Sequence, residues 1–135
     1  MAKSSFKNLV LVDTSVFIDY LRGDTDNSLA VLILQNQVLL SPIVRLELLS
    51  GVSKKDLPAL EKLCGALQQL EAFASPNECE KLLKLAKGTG LFGGIPDLLI
   101  IADAIKYKLV LFTYDKKMEK LAKRLGAKTL TGGLL

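Results

Sequence analysis

The sequence predicts an α/β fold, a parallel sheet of four to five strands covered by helices on both faces. Two observations point there. Short aliphatic runs alternate with amphipathic segments along the whole chain, and the runs are continuously apolar: LVLV at 9–12, VLL at 38–40, LVLF at 109–112. Strands of that kind are buried on both faces, as in parallel sheets, whereas a half-solvated strand alternates apolar and polar residues. The chain has 135 residues, half of them hydrophobic and four of them proline. That suits one domain, 1–135, with a real core, and not a disordered segment.

Each element is read from its own signals. Asn8 to Val12 is a buried strand. Val16–Leu21 and Ser28–Gln35 read as helices, separated by the polar break GDTDN at 23–27. Val38–Leu40 is a short strand. Ser41-Pro42 is a helix cap followed by proline at the first helical position, opening a helix through Leu49 that ends near Gly51. From Asp56 to Leu70, leucines at 57, 60, 63, 67 and 70 keep a helical period. Leu70–Ala74 is expected as a strand and Asn77–Lys87 as an amphipathic helix. The glycine-rich loop GTGLFGGIP, 88–96, hands over to a helix opened by Asp97 and running to about Tyr107. Leu109–Thr113 is a strand. Asp115 opens a helix to Leu125, Gly126 ends it, and Ala127–Leu130 is a final strand.

Composition excludes several chemistries. There is no histidine, so Ser-His and Cys-His nucleophiles and imidazole-held zinc are absent. Cys64 and Cys79 lack any CxxC spacing and read as small hydrophobes. The longest aliphatic run, Leu29–Leu34, is far short of a membrane span. The first residues, MAKSSFKNLVLV, do not resemble a secretory signal. A cytoplasmic protein is expected. Net charge is +4. Between Lys106 and Lys128 eight basic residues face two acids, giving +6 there and −2 elsewhere. Such a segment attracts polyphosphate or simply forms a solvated lysine-rich face.

Four acids break the pattern of solvated helix faces. Asp13 ends the first strand. Asp115 follows the 109–113 strand after one residue. Asp97 precedes the wholly apolar LLIIA. Glu47 sits among Leu46, Leu48 and Leu49. Any single Asp of this set is accounted for as a helix cap. As a group gathered at one end of a sheet they would repel one another, and only protons, basic partners or a cation would hold them together. A hard ion such as Mg²⁺ or Mn²⁺ takes oxygen ligands, which this chain supplies. In parallel sheets functional groups collect beyond the carboxyl ends of the strands.

The segments VDTSVFIDYLRG, SPIVRLELLSG, PDLLIIADAI and LVLFTYDKKMEKLA, in that order, resemble the PIN-domain family, and within it VapC-type toxin ribonucleases. The likeness runs from Asn8 to about Leu130. It implies a three-layer α/β/α fold with the first strand central, and a Mg²⁺ or Mn²⁺ site formed by Asp13, Glu47, Asp97 and Asp115. Asp13 and Asp97 are implied as the most direct ligands, with Glu47 and Asp115 binding through water or completing the cluster. Thr14, Ser15 and Thr113 are implied as supports. Where relatives carry a small polar residue this chain has Asp103, either a fifth acid of the site or a partner of Lys106 or Tyr107. The resemblance further implies endonucleolytic RNA cleavage, a homodimer and a cognate antitoxin. Lys116, Lys117 and Lys120, beside Asp115, are candidates for holding the RNA backbone. The alternative is a PIN-fold module that binds nucleic acid or protein without cutting. A receiver domain would need adjacent acids after the first strand, a haloacid-dehalogenase phosphatase DxDxT or DxDxV, and a dinucleotide binder a glycine-rich turn. DTSV is none of these.

Overall fold

Val10, Leu11 and Val12 form β1 because three consecutive aliphatics can be buried on both sides of a sheet, and all three are buried. The computed structural model describes residues 8–23, 27–71 and 73–130. The N-terminal segment and the middle of the 23–27 break lie outside them. The elements are β1 (Val10–Val12), α1 (Thr14–Leu21), α2 (Ser28–Leu34), β2 (Val38–Leu40), α3 (Pro42–Gly51), α4 (Leu57–Gly65), β3 (Gln68–Gln69), α5 (Pro76–Thr89), α6 (Ile95–Lys106), β4 (Val110–Phe112), α7 (Lys116–Arg124) and β5 (Lys128–Leu130).

The strands form one five-stranded sheet in the order β3-β2-β1-β4-β5, parallel throughout. β1 is therefore central, as expected. Val10 pairs with Val38 on one side and with Val110 on the other. Right-handed crossovers place α1–α4 on one face and α5–α7 on the other, giving three layers. Leu11, Leu39 and Leu111 are fully enclosed between them, with Phe17 and Leu29 from the first face and Ile100 and Leu121 from the second. Cys64 is fully buried, as a small hydrophobe would be, and Cys79 is half-buried. No helix among the described residues is long and apolar enough to cross a membrane.

The structure shifts several boundaries. α1 begins at Thr14, two residues early, because Asp13 caps it. The helix expected to reach Leu70 stops at Gly65, and the strand that follows is Gln68–Gln69 rather than Leu70–Ala74. Leu67 and Leu70 continue the leucine period, yet both are buried from the β3 segment. Leu70 donates its N–H to the Leu40 carbonyl at 2.9 Å, extending the ladder. α5 is longer than expected at both ends. Ser75 and Glu78 form a reciprocal capping box at its start, and Gly90 closes it at φ +74°.

Candidate active site

The chain changes direction at β1. From β1 it winds outward through β2 to β3, then returns to the other side for β4 and β5. The crevice beyond the carboxyl ends of β1 and β4 is the switch point where doubly wound sheets place their ligands. Asp13 closes β1, and its N–H bonds the Phe112 carbonyl of β4 at 2.9 Å.

Asp13 is only 5% exposed. Burying a carboxylate requires hydrogen-bond donors, and the DTS sequence supplies them. Ser15 donates its hydroxyl to Asp13 Oδ2 at 2.8 Å and its N–H at 3.4 Å. Thr113, also buried, donates its hydroxyl to the same oxygen at 2.8 Å. Thr113 Oγ1 in turn accepts the Asp115 N–H at 3.0 Å, and Ser15 Oγ accepts the Tyr114 N–H at 3.0 Å. Each hydroxyl thus spends its single proton on Asp13 while gathering the chain after β4. Among the described residues every hydrogen bond to the Asp13 carboxylate lands on Oδ2. Oδ1 is left for another partner.

Glu47 lies half-buried in the second turn of α3. Thr14, the first residue of α1, donates its hydroxyl to Glu47 Oε1 at 2.6 Å. Asp115 is the N-cap of α7, accepting the Met118 N–H at 3.1 Å through Oδ1. Asp97 differs from the other two aspartates. Gly94, not Asp97, is the N-cap of α6, and no side chain caps that helix. A Cβ added to Gly93 would lie 3.2 Å from Asp97 Oδ2, so the loop passes close to this acid and a side chain there would make the carboxylate shift by a few tenths of an ångström.

The carboxyl of Asp97 is pushed up to about 6, first by burial, then by the charges of Asp13, Asp115 and Glu47. Asp13, Glu47 and Asp115, from three other segments, therefore all act on Asp97, and among the described residues no basic side chain offsets them there. Such a pocket favours a proton or a cation. The donor set is all oxygen, as Mg²⁺ or Mn²⁺ requires. Among the described residues no three of the acids converge on one point as a ready-made cage. Mg²⁺ keeps several of its waters and needs only one or two direct carboxylates, so a loose set of acids with waters between them fits that ion.

Asp103 does not join this set. It is buried, 2% exposed, and its Oδ1 accepts the Ala74 N–H at 2.7 Å. Helical spacing points to Lys106 or Tyr107, but the partner that reaches the carboxylate is Ala74, 29 residues earlier in the chain. Burial pushes its carboxyl upward, and the Ala74 hydrogen bond and Lys106 oppose that. Lys106 instead bonds Glu78 at 3.1 Å and the Phe73 carbonyl at 3.3 Å. Asp103 fastens the segment before α5 to α6. Lys116, Lys117 and Lys120 are exposed on α7, beginning directly after Asp115. Gly93, close to Asp97, is a position that the sequence barely marks; its one signal is its place in a loop that returns onto an acid.

Fold and site together define a doubly wound parallel domain with an acidic pocket at its switch point. The model of the PIN domain matches residues 10–124, and the chain belongs to that family. PIN domains are generally nucleases that use divalent metals. Among solved structures the chain is similar to DNA-bound VapBC from Salmonella typhimurium, with a TM-score of 0.76, 18% identity, and 90% of this chain and 96% of that chain covered. It is also similar to FitAcB from Neisseria gonorrhoeae, at 0.67, 22%, 91% and 97%. VapBC2 from Rickettsia felis, bound to a fragment of promoter DNA, gives 0.69, 17%, 90% and 97%. At these identities the likeness is one of fold. No curated protein matches.

Proposed function

We propose that the chain is a VapC-type toxin, a single PIN domain over residues 1–135 that cuts RNA internally with a Mg²⁺ or Mn²⁺ ion. The observation that carries this reading is the half-buried Asp97, which feels the charges of Asp13, Glu47 and Asp115 near the β1–β4 crevice. Asp13, through Oδ1, and Asp97 would hold the ion directly. Glu47 and Asp115 would hold its waters. When bound, the ion supplies a water of lowered pKa and charge stabilisation for an in-line displacement at phosphorus. The chain's own residues do the rest. Thr14 holds Glu47, Ser15 and Thr113 hold Asp13, and Lys116, Lys117 and Lys120 draw the RNA backbone toward the acids.

The toxin reading adds a homodimer, a cytoplasmic setting and a cognate antitoxin. A groove of about 470 Å³ beside Glu47, walled by Ile18, Leu21, Leu48, Val52 and Leu60 and edged by Arg22, Ser53 and Asp56, would suit an amphipathic peptide segment of such a partner.

Cleavage of labelled tRNA and rRNA with and without Mg²⁺ tests the reading. The expected result is internal cleavage that EDTA stops and that Asp13→Asn or Asp97→Asn abolishes while the circular dichroism spectrum is kept. Asparagine still caps helices, so the fold survives at Asp13. Full activity in either variant would remove these acids from the site.

A further inference from the structure

The basic stripe of α7 continues past the residues that flank Asp115. Lys116, Lys117, Lys120, Lys123 and Arg124 fall within about 120° of the helix circumference at 100° per residue, opposite the buried Met118, Leu121 and Ala122. Near the far end of the stripe, Lys120, Lys123 and Arg124 face Thr89 and Leu91 across a pocket of about 510 Å³. Among the described residues no acid lines it. Glu119, inside α7, stays outside. Among the described residues the ion pairs are Lys84–Glu80 and Lys106–Glu78, so these three cations have no carboxylate of the described fold against them.

The pocket stands close to the acids by two independent routes. Leu91 is two residues before Gly93, which packs on Asp97, and two residues reach at most about 7 Å. Lys120 is five residues after Asp115, a rise of about 7.5 Å along α7. Those spans suit neighbouring phosphates on one strand. Thr89 fixes the opposite wall, donating its hydroxyl to the Ala86 carbonyl at 2.7 Å and accepting the Leu91 N–H at 3.0 Å. Its proton is spent, so the pocket offers charge rather than a patterned set of donors.

We propose that this pocket holds a backbone phosphate of single-stranded RNA, a nucleotide or two from the phosphodiester at the acids. The inference rests on the nuclease reading above. A polyanion approaching four carboxylates is repelled, and three cations next to them offset that repulsion without reading sequence.

The test uses the Asp13→Asn protein, a short fluorescein-labelled oligouridylate, Mg²⁺ and rising KCl, read by fluorescence polarisation. Adding Lys120→Gln, Lys123→Gln and Arg124→Gln should weaken binding about tenfold at low salt. The slope of log affinity against log salt should fall by about 0.7 for each phosphate that no longer meets a cation. Lys54→Gln, Lys55→Gln and Lys62→Gln make the same charge change elsewhere on the exposed surface and should leave both unchanged. Equal weakening in the two triple variants, or none in the first, would overturn the pocket. Stronger competition by polyglutamate than by unlabelled RNA would overturn RNA as the occupant in favour of an acidic protein. If the unmutated chain fails to cut RNA but the pocket-dependent binding is seen, the nuclease reading falls and the pocket stands. If the chain cuts and the first triple variant cuts with unchanged kcat/KM, the pocket falls and the nuclease reading stands.

Discussion

Thr113 and Asp13, 100 residues apart in the chain, meet at 2.8 Å between Oγ1 and Oδ2 at the top of adjacent strands. The same Thr113 oxygen accepts the Asp115 N–H, so one buried hydroxyl connects two acids of the site. Thr113→Val keeps the shape but removes one of three hydrogen bonds to Asp13 Oδ2 and the acceptor of the Asp115 N–H. The expected cost is about 1–3 kcal/mol by urea unfolding, with weaker Mg²⁺ binding. Thr113→Ser, which restores the hydroxyl, should recover most of both. No loss in Thr113→Val, or a loss in Thr113→Ser as large as that in Thr113→Val, would show that the hydrogen bond alone does not account for the effect.

Gly93→Ala probes the close approach to Asp97. The added Cβ sits 3.2 Å from Oδ2, and the carboxylate must give way by a few tenths of an ångström. Stability should change by less than about 1 kcal/mol, while the affinity for Mn²⁺, followed by paramagnetic relaxation of water, should weaken several-fold. Unaltered Mn²⁺ affinity would place Asp97 outside the ion's coordination.

Asp97 and Glu78 make opposite contributions to acid stability. The Asp97 carboxyl is raised to about 6, so the folded metal-free protein holds that proton more tightly than the unfolded chain. The resulting stability is full below the ordinary carboxylate range near 4 and is lost as pH rises through about 6. The Glu78 carboxyl is lowered to about 2, first by the Ser75 N–H and then by Lys106 and the Ser75 hydroxyl. Its stability is present above about 4.5 and is lost as pH falls toward 2. In EDTA, Asp97→Asn should therefore flatten the decline in Tm between pH 5 and 7. Glu78→Gln should lower Tm above about pH 4.5, and the gap should close as pH falls toward 2. An unchanged pH profile for Asp97→Asn would contradict the crowding of charge at this position.

The same crowding sets activity against stability. At pH 7 in EDTA, Asp97→Asn removes a half-buried charge that three other acids disfavour and should raise Tm, even as it abolishes cleavage. Saturating Mg²⁺ should raise the Tm of the unmutated chain and narrow or reverse that gap. A lower Tm for Asp97→Asn in EDTA would show that this carboxylate supports the fold rather than burdening it.

The strands and the acids are legible in the sequence because both depend on local pattern. LVLV and LVLF suit only buried strands, and the acids at their ends follow from the rule for parallel sheets. Asp13 and Asp115 read as caps, and both are. The features that sequence leaves hidden depend on contacts made at a distance. Gln68 and Gln69 carry no strand pattern and pair only because Leu39 and Leu40 lie beside them. Asp103 finds Ala74, and Thr14 finds Glu47 33 residues away, partners that no spacing within a helix reveals. Asp97 resembles a cap because proline precedes it, yet Gly94 takes that role. The Ser75–Glu78 box has the visible form S-x-x-E, but the leucines beyond it are the stronger pattern and draw the expected start of α5 too late.

Asp13, Glu47, Asp97 and Asp115 come from the ends or turns of four different elements, and the hydroxyl that joins two of them comes from Thr113. No stretch of the chain short of the last of these residues contains the whole set, and no half of it can be grafted elsewhere and keep its geometry. A chain still emerging from the ribosome acquires the pocket only when β4 docks against β1, roughly a hundred residues after Asp13 was made. On the proposed reading the site is incomplete until that docking, and a partner protein has the interval in which to meet the chain before it can cut.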